Sequence, residues 1–283
     1  MPYADNDGVA IYYETSGDAS GRPLVLVEGF TKQLLGWKPD YYLRLVDAGI
    51  FVIRFDNRDV GLSQKFGTRT DLDGGYSADD MADDIFAVMD DLAIDSAHVG
   101  GQSMGGAVAQ LAAARAPERV RSLSLFYTAG DLAKYALPGS SRNDVNDVQP
   151  DRTLDEYIEF YLDNEYACRS TAYPFDEAWH RQLAASSYRR SYTPEGPARQ
   201  LAALTRHPFD GASALARSEI PVSIIHGRAD LVIDFHGAIA LADALPNSEL
   251  HLFPGLGHEM PSALLPEFTA VTLRTIGRVE STA

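Results

Sequence analysis

Gly101-Gln102-Ser103-Met104-Gly105 stands directly after the strand-like run Ala97-His98-Val99-Gly100 and directly before the helix-forming stretch from Ala107 to Ala114. A serine at a sharp strand-to-helix turn is held in a strained backbone conformation. It needs glycines two residues to either side, because a Cβ at those positions would meet neighbouring backbone. Gly101 and Gly105 satisfy that need. The turn lifts the Ser103 hydroxyl above the end of the strand. It also aims the Met104 N–H and the helix N-terminus at the space beside the hydroxyl, which suits a developing oxyanion. Ser103 is therefore a candidate nucleophile.

Working outward, short runs rich in Val, Ile and Leu recur on both sides of this turn, each followed by a turn signal and a helical pattern. They are Pro23-Leu24-Val25-Leu26-Val27, Phe51-Val52-Ile53-Arg54-Phe55, Ser122-Leu123-Ser124-Leu125-Phe126, Val222-Ser223-Ile224-Ile225 and Glu249-Leu250-His251-Leu252-Phe253. That alternation predicts a mostly parallel sheet flanked by helices, an α/β fold. The helices are expected near 77–92, 104–115, 236–244 and 262–276. Val9 to Glu14 alternates instead, as an antiparallel edge hairpin does. Between Tyr127 and Ile220 the rhythm stops for roughly 85 residues, too long for a structureless loop in a compact domain. Seven of the 14 tyrosines fall there. A helical cap insertion over 131–215 is expected, with 1–130 and 216–283 forming the core. Its aromatics serve to pack it or to line an apolar pocket.

A serine nucleophile needs a base, and the base an orienting carboxylate. Of the seven histidines, His258 closes the Gly-rich loop Phe253-Pro254-Gly255-Leu256-Gly257-His258 just beyond the last strand, and loops at strand C-termini are where such sheets place chemistry. His98 and His251 lie within strands and His226 ends one; for His180, His207 and His236 a surface or capping role is the default. Asp230, in the turn His226-Gly227-Arg228-Ala229-Asp230, gives the chain order Ser, Asp, His. Asp131 is the competing acid, its alternative role being to cap the start of the insertion.

Composition removes other classes. Forty acidic residues against 24 Lys and Arg leave a formal charge of −16, which repels phosphate backbones and anionic lipids, so neither nucleic acid nor membrane is an expected partner. The insertion carries 13 acidic and 9 basic residues, so the acidity is spread over the whole chain and does not mark the insertion. Cys168 is the single cysteine, giving no disulfide and no CxxC. With no basic and apolar leader at Met1 to Gly8, a cytoplasmic protein is expected. No G-x-G-x-x-G or Walker A lysine occurs, and His258-Glu259-Met260-Pro261-Ser262 lacks the second histidine of a zinc helix, so no cofactor and no metal is expected.

The turn Gly101 to Gly106, the run Phe51 to Ser63 with its Phe55-Asp56-Asn57-Arg58-Asp59 core, Gly227-Arg228-Ala229-Asp230 and Gly255-Leu256-Gly257-His258 together resemble the α/β-hydrolase superfamily. Order and spacing match along nearly the whole chain. The run Phe55 to Asp59 and Gly29-Phe30-Thr31-Lys32-Gln33-Leu34-Leu35-Gly36-Trp37 are similar to bacterial cofactor-free esterases of the aclacinomycin methylesterase type. The resemblance implies an α/β-hydrolase fold and a Ser103, Asp230, His258 triad, with the backbone N–H groups of Phe30 and Met104 as oxyanion hole. It also implies a small-molecule ester substrate for a carboxylesterase-like enzyme. The same triad also serves lactonases, thioesterases, C–C hydrolases and perhydrolases, and a non-catalytic ligand receptor keeps the same fold. Many superfamily members have His-Gly where this chain has Glu28-Gly29. A carboxylate so close to an oxyanion hole repels negative charge unless it points away or is paired. Asp56, Arg58 and Asp59 are expected to be structural, with Arg58 paired to a neighbouring carboxylate. Neither substrate nor oligomeric state is legible.

Overall fold

The computed structural model describes residues 2–138, 149–206 and 209–280. Eight strands form one sheet: β1 (Tyr3–Asn6), β2 (Val9–Ser16), β3 (Arg22–Val27), β4 (Ile50–Phe55), β5 (Ala97–Gln102), β6 (Val120–Phe126), β7 (Val222–Gly227) and β8 (Ser248–Phe253). Their order is β1-β2-β4-β3-β5-β6-β7-β8, with β1 and β2 antiparallel and the rest parallel. The helices are α1 (Pro39–Asp47), α2 (Ala78–Asp91), α3 (Met104–Arg115), α4 (Leu132–Tyr135), α5 (Leu154–Cys168), α6 (Glu177–Arg190), α7 (Gly196–Arg206), α8 (Gly211–Ala214), α9 (His236–Ala244) and α10 (Leu265–Glu280). Among the described residues no helix is long and apolar enough to cross a membrane.

The inner strands read as continuous apolar runs because both of their faces are covered. Successive side chains alternate faces. Val25 and Val27 join Met81, Ile85 and Val108 of α2 and α3 on one side, whereas Leu24 and Leu26 join Tyr41 and Leu45 of α1 and Phe268 of α10 on the other. Trp37 and Phe126 complete this second layer, Trp37 stacking on Tyr41 at 5.6 Å. Strand rhythm does not point to α1. It starts with Pro39 in its first turn and buries Tyr41 and Leu45 against β3, β4 and α10.

Helices α4 to α8 fill the interval where the strand rhythm stops. One of them announces itself locally: the Ser77 and Asp80 capping box that starts α2 recurs as Thr153 and Glu156 at the start of α5. The insertion has two parts. Helices α5 and α6 share a small core of their own, Ile158, Tyr161, Leu162, Leu183 and Ala184. Ala203 of α7 and Leu215 are instead buried in the main core. Arg199 of α7, fully buried, pairs with Asp59 and donates to the carbonyls of Thr68 and Asp71.

Candidate active site

Ser103 sits between β5 and α3 with φ 51° and ψ −117°, a left-handed conformation that costs a non-glycine residue free energy and persists only where the surroundings enforce it. They do so here. A Cβ on Gly101 would overlap the carbonyl of Gly105, one on Gly105 would overlap the carbonyls of Val27 and Glu28, and the Ser103 N–H donates to the Phe126 carbonyl at 2.9 Å. The first turn of α3 is thereby pressed against the end of β3.

His258 and Asp230 meet in space. Asp230 follows β7, and its Oδ2 lies 2.7 Å from His258 Nδ1. Its Oδ1 accepts from the N–H groups of Val232 and Ile233 at 2.7 and 3.0 Å. Burial alone would raise this carboxyl; the His258 imidazole, with His226 and the Ile233 amide, outweighs burial and holds it below the ordinary carboxylate value. Asp131, the competing acid, accepts from the Lys134 N–H and caps α4.

Ser103, His258 and Phe30 line one cavity of about 330 Å³, closed on the far side by α5 and α6. Gly29 brings the Phe30 loop against the nucleophile: a Cβ on it would stand 3.5 Å from Ser103 Cβ. Among the described residues the N–H groups of Phe30 and Met104 have no acceptor, which leaves both available at the serine. The next amide along is occupied, since Thr31 N–H donates to Gln200 Oε1 of α7, whose Nε2 donates to the Arg58 carbonyl.

The His258 loop is bound to the end of α5. His258 N–H donates to the Cys168 carbonyl at 2.8 Å, Gly257 N–H to Ser170 Oγ at 3.0 Å, and Ser170 N–H to Glu259 Oε1 at 2.5 Å. The edge of the Tyr127 ring rests on the imidazole at 4.8 Å. Ser170 and Glu259, flanking the base from two segments, carry no sequence signal of their own.

The charged run after β4 is structural in geometry. Asp56 pairs with Arg190 of α6 and accepts from Leu34 and Leu62 N–H groups, while Arg58 grips Asp84 of α2 through two bonds of 2.7 and 2.8 Å. Among the remaining histidines, His98 bonds Ser122, and His236, exposed at the start of α9, bonds Asp234. His207 lies outside the described residues. His180 differs from the surface role expected: it is 5% exposed, stacks on Phe175 at 4.7 Å and lines the cavity, where burial pushes its imidazole down to about 4. Beside it, Lys32 pairs with Glu165 and bonds the Tyr161 hydroxyl, a polar corner next to the aromatic side chains of α5 and α6.

The alpha/beta hydrolase fold model matches residues 22–261. The chain is similar to the rhodomycin D methylesterases of Streptomyces sp. (strain C5), 28% identical over 91% of this chain and 92% of that one, and of Streptomyces peucetius, 28% identical over 92% of each. Its fold is similar to the enol-lactonase from Burkholderia xenovorans, with a TM-score of 0.76 at 21% identity over 98% of this chain and 100% of that one. With the eight-stranded sheet, the strained serine turn and a family match over most of its length, the chain belongs to the α/β-hydrolase fold family.

Proposed function

We propose that this α/β hydrolase is a serine esterase that cleaves a carboxylic ester of a small, fairly hydrophobic molecule through an acyl-enzyme. The observation that carries the reading is the convergence of Ser103, His258 and the unengaged Phe30 amide on one cavity, with Asp230 bonded behind His258. Because Nδ1 faces Asp230, Nε2 is the nitrogen left to act as base. Ser103 Oγ attacks the ester carbon as Nε2 takes its proton, and the carbonyl oxygen, now an oxyanion, accepts from the N–H groups of Phe30 and Met104. Collapse expels the alcohol, which recovers that proton from His258; a water then repeats the sequence on the acyl-serine and releases the acid.

Residues 131–215 act as the cap in this proposal, with α5 and α6 as the part that selects substrate. Tyr157, Phe160, Tyr161 and Trp179 from these helices line the cavity, favouring an acyl or alcohol group with a sizeable apolar surface. The similarity to two methylesterases supports a methyl ester as the first substrate to try. The test combines fluorophosphonate labelling of Ser103 with turnover of methyl and p-nitrophenyl esters of increasing size, and of lactones. Labelling and ester turnover are both expected, and both are lost in Ser103→Ala. Labelling without turnover of any ester would sink the esterase reading; turnover confined to lactones would replace it by a lactonase, and no turnover at all by a ligand receptor.

A further inference from the structure

Glu28, where many relatives of the fold carry histidine, is 2% exposed and lines the cavity beside Gly29, Gln102 and Ser103. Its backbone is pinned, its carbonyl accepting from Asn57 Nδ2 at 3.1 Å and lying against Gly105 of α3. Its carboxyl is pinned as well. Oε2 accepts from the Gly29 N–H at 3.0 Å, Oε1 faces Gln102 Nε2 at 3.4 Å, and a Cβ on Gly36 would stand 2.7 Å from Oε1. Gln102 Oε1 in turn accepts from the Tyr127 hydroxyl, whose ring rests on His258. A line of side chains thus runs from the oxyanion loop, across the residue before the nucleophile, to the base.

Every hydrogen-bond partner of the Glu28 carboxyl is neutral. The nearby cations are engaged elsewhere: Lys32 on its own loop pairs with Glu165 of α5, and Arg54 on β4 pairs with Glu14. The other titratable groups around it are Tyr161 of α5, Tyr127 after β6, and His258 and Glu259 of the histidine loop. Among the described residues no cation forms an ion pair with Glu28. A buried carboxyl with only neutral partners keeps its proton, because ionising it leaves a desolvated charge. Burial, reinforced by Glu165, pushes it up to about 8 against the Gly29 amide, Lys32 and Arg54.

Building on the serine-hydrolase reading, we propose that Glu28 is a positioning residue that works as an un-ionised carboxylic acid. It ties Gly29 and Gln102 together on either side of Ser103 without setting a negative charge beside the oxyanion donors. Ionisation of Glu28 opposes the charge that develops on the substrate oxygen, so attack slows. The loss lies on the alkaline side, since the group is neutral below its titration and charged above it.

The test follows phosphonylation of Ser103 by a fluorophosphonate, and kcat and KM on an ester, from about pH 6 to about pH 10 in wild type and Glu28→Gln. Wild type is expected to lose about tenfold in rate per pH unit above an apparent value near 8, in kcat more than in KM. Glu28→Gln is expected to be slower at neutral pH, by roughly tenfold or less, because its amide NH2 meets that of Gln102, yet to show no alkaline loss. Lys65, which burial brings to about 8 as well, is present in both proteins, so the difference between the two profiles reports Glu28. The same alkaline loss in Glu28→Gln, or a flat wild-type profile, overturns the proposal. If Glu28→Gln does not fold, difference infrared spectroscopy of wild type decides: a buried carboxylic-acid carbonyl band must vanish in step with the labelling rate, and its absence at neutral pH overturns the proposal equally. Phosphonylation needs no particular ester. A protein that labels with this profile but hydrolyses no ester would refute the esterase reading and leave the role of Glu28 standing.

Discussion

The serine turn and the histidine loop reach the same cavity by opposite means. Ser103 is placed by its own neighbourhood: a glycine on each side, the helix that begins at the next residue, and the adjoining strands β3 and β6. His258 sits in a loop with no regular structure of its own. It is held by bonds to Cys168 and Ser170 at the end of α5, with Gly257 and Ser170 separated by 87 residues and Ser170 and Glu259 by 89. The proposed nucleophile is thus held by the sheet core, whereas the proposed base depends on the insertion. A change in the cap is expected to act on catalysis through the base and leave the nucleophile in place.

The comparison can be broken at several points. The largest effect is expected of Ser103→Ala, about 10⁶ in kcat by analogy with loss of a triad serine elsewhere, with the thermal unfolding midpoint little changed. Asp230→Asn comes next, at about 10⁴. Asp131→Asn should leave turnover unchanged and stability within about 0.5 kcal/mol, since the asparagine oxygen still accepts from the Lys134 N–H and caps α4; steady-state turnover of the two variants separates the acids, and a large kcat loss in Asp131→Asn would reverse the assignment. Glu259→Leu, which leaves the buried Ser170 N–H without its acceptor, is expected to cost about 10- to 100-fold in kcat by shifting His258. Glu259→Gln keeps an acceptor and most of the rate. Kinetics on the pair, with KM moving less than kcat, distinguish displacement of the base from loss of substrate contacts. A further variant tests the turn itself: Gly105→Ala forces a Cβ against the carbonyls of Val27 and Glu28 and should destabilise by roughly 1–3 kcal/mol, read by urea denaturation.

The strands, the parallel sheet and a helical insertion were legible because each is written in local periodicity. The proposed triad, Ser103, Asp230 and His258, was picked out for a related reason: each follows a recognisable strand, and the C-terminal ends of parallel strands gather on one edge of the sheet. Helix α1 was not, since its apolar face has meaning only against the sheet and α10, which packing brings together. The burial of His180 was equally hidden. Its surroundings in sequence, Trp179 and Arg181, read as an ordinary amphipathic helix, and only the stacking of α6 under Phe175 and against α5 removes it from water. The reading of Arg58 as a structural cation matches the geometry, but its partner, Asp84, lies on a helix that no local rule selects.

Sequence by itself determined the architecture and pointed to the chemistry proposed: strand periodicity sets the sheet, and the serine between two glycines at a strand-to-helix junction is what the serine-hydrolase proposal starts from. The strain on that serine is enforced by the glycines beside it and by the ends of β3 and β6, so it is set by the sheet core. Tertiary structure decided what surrounds the chemistry. Glu28 could be read from its letter only as a charge that must point away or find a cation. The fold paired it with no cation among the described residues, and put it instead, 2% exposed, against an amide N–H, a glutamine and Gly36. Whether a carboxyl is charged depends on solvent and partners brought from other strands and helices, and those contacts are set by packing across the whole chain.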